Sequence, residues 1–196
     1  MASIISPEAL VRVKGTSESA HTSSAPPGPN DWHAQLRESA RSVEDLAKVL
    51  ELTPDEIEGA RRAELEGLPI AVTPYYLALC DRHDPTCPIR RQCVPRALEA
   101  REVHGDMVDP LGEVEHEVAP HLVRRYPDRV LLLATDRCAV YCRFCTRSRM
   151  VGDGGGPAPL ERLEPALAWI AAHPEIRDVI VSGGDPMAMA TERLDR

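Results

Sequence analysis

Cys138, Cys142 and Cys145 fall within eight residues of chain, in Thr135-Asp-Arg-Cys-Ala-Val-Tyr-Cys-Arg-Phe-Cys-Thr-Arg147, a C-x3-C-x2-C spacing. Three thiolates this close can hold three irons of a cubane [4Fe–4S] cluster, whereas structural zinc normally takes four protein ligands and closes its shell. One iron is then open, able to chelate a small molecule and pass it an electron. Zinc held by three thiolates and a distant histidine is the competing reading. Phe144, beside the last cysteine, sits where an aromatic ring can pack against adenine. Cys80, Cys87 and Cys93 form a separate group, spaced too loosely for a cluster motif, and read as small buried hydrophobes.

Two further stretches carry candidate chemistry. Ser182-Gly-Gly-Asp185 lacks side chains where a ligand's amino group could approach backbone carbonyls, and Asp185 can add a charge-assisted contact. Arg124-Arg-Tyr-Pro-Asp-Arg129 clusters guanidinium groups with a phenol, and the forked donors of Arg125 and Arg129 suit phosphate or carboxylate, with a surface ion-pair cluster around Asp128 as the plainer alternative. Arg147 and Arg149 follow the last cysteine at two and four residues and bring more positive charge toward it.

These residues need elements to position them. Arg129-Val-Leu-Leu-Leu-Ala-Thr135 is a continuous apolar run with polar ends, as expected of a strand buried on both faces in a parallel sheet, and the cysteine loop follows it directly. A Gly-rich loop, 152–157, leads to an amphipathic helix over 160–172, and Val179-Ile-Val181 is the next strand, ending at Ser182-Gly-Gly-Asp185. Both candidate loops therefore leave the carboxyl ends of strands, where α/β barrels carry their chemistry. Upstream, Ser42 with Asp45, Thr53-Pro54 with Glu56, and Thr73-Pro74 read as helix starts, so 31–124 is expected to be a helical region with a further short helix near 96–103. Residues 1–30, rich in Ser, Ala, Pro and Gly, are expected to form a disordered tail. The stretch 125–196 is then the start of a barrel, because an eight-stranded barrel takes about 250 residues. The chain reads as the N-terminal part of a longer enzyme.

A formal net charge of -8 argues against a nucleic-acid or anionic-membrane surface, since either needs a concentrated basic face. Small molecules or proteins are the expected partners. No apolar run approaches the roughly 20 residues of a membrane span, and no signal peptide is visible, so a reducing, cytoplasmic setting is expected.

The residues resemble the lysine 2,3-aminomutase family of radical S-adenosylmethionine enzymes. The likeness is carried by Thr73-Pro-Tyr-Tyr-Leu77, Asp84-Pro85, Pro88-Ile-Arg-Arg-Gln92, Asp109-Pro-Leu111 and Arg125-Tyr-Pro-Asp-Arg-Val-Leu-Leu-Leu133. It continues through the cysteine triplet, Cys145-Thr-Arg147, Arg177-Asp-Val179 and Ser182-Gly-Gly-Asp185. The resemblance implies an α/β fold in which an N-terminal helical region precedes the first βα units of a partial TIM barrel. It implies a [4Fe–4S] cluster on Cys138, Cys142 and Cys145, with S-adenosylmethionine at Phe144, Ser182, Gly183, Gly184 and Asp185. It further implies pyridoxal phosphate at Arg125, Tyr126 and Arg129, and a substrate carboxylate on Arg147. A 5'-deoxyadenosyl radical would take hydrogen from an amino acid held as a pyridoxal aldimine, and the amino group would move from carbon 2 to carbon 3. An electron donor such as flavodoxin or ferredoxin and a homo-oligomer are implied as partners. Two features depart from the pattern. The only lysines are Lys14 and Lys48, neither suited to the aldimine, which the resemblance puts beyond residue 196, and Ser148 stands where the lysine enzyme has arginine. A radical enzyme without pyridoxal phosphate, and an inactive metal-binding fragment, remain as alternatives.

Overall fold

The computed structural model describes residues 31–65, 67–101, 104–152 and 160–195; the expected tail over 1–30 and most of the Gly-rich loop lie outside them. The helix starts read from the sequence are formed. Asp31 caps α1 (Trp32–Arg37) and Ser42 caps α2 (Val43–Ala47) by accepting from the Asp45 N–H. In α3 (Pro54–Leu65), the Thr53 hydroxyl accepts from the Glu56 N–H while Glu56 accepts from the Thr53 N–H at 2.8 Å, a reciprocal capping box. Thr73 caps α4 (Pro74–Leu77), and α5 (Arg90–Cys93) follows the Pro-punctuated segment. The further short helix near 96–103 appears as a 3-10 turn over Ala97–Ala100.

Leu46, Leu50, Ala60, Val72, Leu77 and Val94 form one core among these helices, and Cys80 and Cys93 are buried in it as expected of small hydrophobes, whereas Cys87, in the Pro-punctuated segment, is only partly buried. Through this core runs a buried ion pair. The Arg90 guanidinium, 0% exposed, donates to both Glu56 carboxylate oxygens at 2.9 and 2.8 Å and to the carbonyls of Glu51, Asp81 and Arg82. A buried pair pays its desolvation only when the remaining donors are satisfied, and here Nε, Nη1 and Nη2 all have acceptors.

The second region is a four-stranded sheet in the order β1 (Glu117–Ala119), β2 (Leu122–Tyr126), β3 (Arg129–Thr135), β4 (Asp178–Gly183). The apolar run became β3 and the Val-Ile-Val segment became β4, paired in parallel as a βα unit requires. The connecting α6 (Leu160–Ala171) sets Leu163 and Ala166 against Leu122, Val130, Leu132 and Ala134. The antiparallel β1–β2 hairpin, paired to β3, is an addition to the sequence reading, which has helix through 124. Its Val-Arg-Arg-Tyr core alternates too little to announce a strand, and pairing with β3 decides the matter. The fold is thus mixed α/β, with helices first and sheet after. Short α7 (Thr191–Leu194) closes the described chain.

Candidate functional site at the carboxyl ends of the parallel strands

β3 and β4 end side by side, so the loops that leave them are neighbours. The Gly184 N–H donates to the Thr135 carbonyl at 2.6 Å and the Asp185 N–H to the Arg137 carbonyl at 2.7 Å, stitching the Ser182–Asp185 loop to the start of the cysteine loop. The two glycines are required by this seam. Gly183 has φ +106°, and a Cβ there would overlap the Thr135 carbonyl oxygen; one on Gly184 would overlap that of Arg137. Their missing side chains make room for neighbouring backbone, and what the loop has to offer a ligand is its carbonyls and Asp185. One Asp185 carboxylate oxygen already accepts from the Met187 N–H at 3.0 Å.

Cys138, Cys142 and Cys145 are free thiols, each partly buried. Burial pushes the Cys138 thiol up to about 12, with the Asp185 carboxylate and the other two cysteines adding to the rise. Cys142 is raised chiefly by burial and then by Cys145. The three therefore lie within electrostatic reach of one another. Among the described residues no three His, Cys, Asp or Glu side chains converge into a formed metal-binding group, so the loop brings the donors near without closing them on a point. Its donor set still suits iron and sulfide, being three soft, unpaired thiols that a cation can relieve of their protons. Phe144 projects into solvent, 67% exposed, available to cover a ligand and packed on nothing in the core.

The helical region grips this loop. Val72 bridges to Val140, the Tyr141 N–H donates to the Ala71 carbonyl at 2.9 Å, and the Arg143 N–H donates to the Gln92 carbonyl at 2.8 Å. The Arg143 side chain, 8% exposed, donates to the carbonyls of Leu68 and Pro69 and pairs with Glu99 at 2.6 Å. The loop's other end is held by Glu113, only 5% exposed, whose Oε1 accepts from Arg147 Nε at 2.8 Å and whose Oε2 accepts from Arg149 Nη2 at 3.0 Å. Arg147 Nη1 reaches Ser182 Oγ at 3.5 Å, so the expected carboxylate binder and the expected cofactor loop do meet. Glu113 and Arg143 were missed from sequence. The signal available was charge: three arginines at 143, 147 and 149 in an acidic chain need carboxylates close by.

Arg125, Tyr126 and Arg129 lie just ahead of and at the start of β3, where the sequence reading put them. They flank the tight Pro127-Asp128 turn between β2 and β3, where Arg129 pairs with Asp128 and lies 5.3 Å over the Tyr126 ring. Arg125 donates to the Leu111 carbonyl at 3.0 Å. They stand at the start of β3 and the cysteines beyond its end, about 20 Å apart for a seven-residue strand. By charge the group fits a phosphate. By position it faces the opposite end of β3 from the thiols of the same chain. Lys48 is ion-paired to Asp45 on an exposed surface.

Two clefts border the loop. One, of about 510 Å³, is lined by Arg62, Arg96, Arg101, Arg143, Cys145 and Ser148. The other, of about 190 Å³, is lined by Trp32, Tyr75, Ala139, Asp185 and Met187.

The L-lysine 2,3-aminomutase of Fusobacterium nucleatum is 45% identical over 166 residues, 85% of this chain and 39% of that protein. This chain is homologous to the lysine 2,3-aminomutases. The lysine 2,3-aminomutase of Clostridium subterminale is likewise 45% identical over 166 residues, 85% of this chain and 40% of its own length. The glutamate 2,3-aminomutase of Clostridioides difficile is 33% identical over 166 residues, 85% of this chain and 39% of that protein. The chain spans about two fifths of the length of these aminomutases. No family model matches it. No helix among the described residues is long and apolar enough to cross a membrane.

Proposed function

We propose that the protein carrying this chain is a radical amino-acid 2,3-aminomutase, an isomerase that moves an α-amino group to the adjacent carbon. The observation that carries the reading is the seam between the cysteine loop and Ser182–Asp185 at the shared end of β3 and β4, with Arg147 against Ser182. In this reading Cys138, Cys142 and Cys145 hold a [4Fe–4S] cluster, and Ser182, Gly183, Gly184, Asp185 and Phe144 hold S-adenosylmethionine. When bound, the cluster and S-adenosylmethionine supply hydrogen abstraction from an unactivated carbon, and pyridoxal phosphate supplies activation of the amino group. The chain's own residues do the positioning. Glu113 neutralises one edge of Arg147 and fixes its plane, leaving Nη1 to receive an amino-acid carboxylate beside Ser182. Arg143 and the Tyr141 and Arg143 amides hold the loop against the helical seat, which limits water on that side. Lysine is the first substrate to try and glutamate the second, with a one-electron donor such as flavodoxin or ferredoxin and a homo-oligomeric assembly in a cytoplasmic, reducing setting.

The test is anaerobic reconstitution with iron and sulfide. Expected are about four irons per chain on the cluster stoichiometry, 5'-deoxyadenosine on reduction with S-adenosylmethionine, and a 3-amino isomer from L-lysine or L-glutamate by mass spectrometry. Uptake of zinc alone, or an intact sulfonium after reduction, overturns it. A second reading, the same radical chemistry without pyridoxal phosphate, is favoured by the separation of Arg125, Tyr126 and Arg129 from the cysteine loop along β3. It requires that an R125Q/R129Q variant keep full product formation, and a loss there rejects it.

A further inference from the structure

The helical core holds a second set of thiols. Cys80, just past α4, and Cys93, the last residue of α5, bring their Sγ atoms to 3.8 Å across the core, both buried and both unpaired by disulfides. Each sulfur also has backbone carbonyls within reach: Cys80 that of Tyr76 at 3.8 Å, Cys93 those of Ile89 and Arg90 at 3.7 and 3.6 Å. The pair is also chemically unequal. The contact between the two thiols holds Cys80 below its ordinary value, against its burial and with help from Arg90, while the same contact and burial drive Cys93 upward. Cys80 is the more accessible of the two, 9% exposed against 1% for Cys93. Cys87 lies in the connecting segment, partly exposed, and its Sγ accepts from the Asp81 N–H at 3.4 Å.

We propose that Cys80 and Cys93 are a redox-active dithiol that closes to a disulfide under peroxide-class oxidants, set directly beneath the seat of the cysteine loop. The chemistry balances in two steps. Cys80 sulfur attacks hydrogen peroxide, an S–O bond forms as O–O breaks, and the departing hydroxide leaves as water with the thiol proton, giving a sulfenic acid. Cys93 sulfur then attacks Cys80, S–S forms as S–O breaks, and the second hydroxide leaves as water with the Cys93 proton. Two thiols and one peroxide become one disulfide and two waters. The sulfurs must close from 3.8 Å to about 2.05 Å, a movement taken up by α5. That helix also carries Gln92, whose carbonyl accepts the Arg143 N–H of the cysteine loop and whose side chain meets the Tyr76 hydroxyl at 3.3 Å. Oxidation of the pair is thereby mechanically linked to the loop proposed to hold the cluster.

The experiment needs no activity and no cluster. The chain, alongside a C138A/C142A/C145A variant that removes the other reactive thiols, is titrated with hydrogen peroxide, alkylated, and digested with trypsin, which cuts at Arg82, Arg90 and Arg91 and so separates the two cysteines. A disulfide-linked pair of peptides containing Cys80 and Cys93, reversed by dithiothreitol, present in C87S and absent in C80S and C93S, supports the proposal. Full alkylation of both thiols at peroxide doses that oxidise Cys87, or a link joining Cys87 instead, overturns it. Because the untagged wild-type sequence already reports the link, the result stands even where a serine variant folds poorly. Failure of the aminomutase reading would leave this result unchanged.

Discussion

The helical region and the sheet are built on opposite principles. The helices enclose their core, with Leu46 and Val72 fully buried and a charged pair sealed inside it. The sheet is covered on the α6 side, and in β4, the last strand among the described residues, Val179, Ile180 and Val181 are between 40% and 52% exposed within this stretch of chain. The cysteine loop and the Ser182–Asp185 loop leave the sheet, and the cysteine loop is held by the helical region. The placement of the cysteine loop thus depends on residues 50 to 75 positions earlier, such as Gln92 and Leu68.

The contrast is best broken at the buried pair. Arg90→Ala strands the Glu56 carboxylate in the core and is expected to destabilise the helical region by about 3–5 kcal/mol, read from the urea midpoint of a tryptophan signal. Burial raises Glu56, but Arg90 and both Thr53 donors outweigh it and hold the carboxyl below its ordinary 4.5. A depressed carboxylate contributes its stability above the unfolded value and loses it as pH falls through the folded one. Stability from this pair is therefore expected to be constant above about pH 5.5 and to drop below 4.5, a dependence that Arg90→Met/Glu56→Leu should abolish.

The seam comes next. Gly184→Ala is expected to cost about 1–3 kcal/mol by forcing the two loops apart, and to lower iron retained after reconstitution more than it lowers the melting temperature of the helices. Arg143→Ala should leave the carbonyls of Leu68 and Pro69 without their donor, a loss of about 1–2 kcal/mol, with looser iron binding at unchanged helical content by circular dichroism. The smallest effect is expected at Lys48→Ala, which removes an exposed pair with Asp45 and should shift stability by less than about 0.5 kcal/mol. A large effect there, or none at Arg90, would erase the distinction between the sealed and the exposed ion pairs of the helical region.

Sequence reading recovered what is written locally. Ser42, Thr53 and Thr73 announced their helices because a cap is a contact over three residues, and β3 and α6 announced themselves by the run and period of their apolar residues. The cysteine triplet and Ser182–Asp185 were legible for the same reason. The β1–β2 hairpin was hidden because it is short and rich in arginine, and its pairing is decided by β3. The grip on the loop was hidden because Tyr141 to Ala71 and Arg143 to Gln92 are backbone contacts, which any side chain permits. Gly183 and Gly184 were legible as special but for a different cause, since the atoms that exclude a Cβ belong to Thr135 and Arg137. Arg125, Tyr126 and Arg129 were legible as a cluster, while their distance from the thiols depends on which way β3 runs between them.

The direction of the chain gives the grip on Tyr141 and Arg143 a meaning in time. Leu68, Ala71 and Gln92 are synthesised first, so during translation the helical region can condense and wait with open carbonyls for a loop that emerges dozens of residues later. The loop would then close onto a finished cradle, and a nascent chain stalled before residue 138 would already hold the helical core around Leu46, Ala60 and Val72.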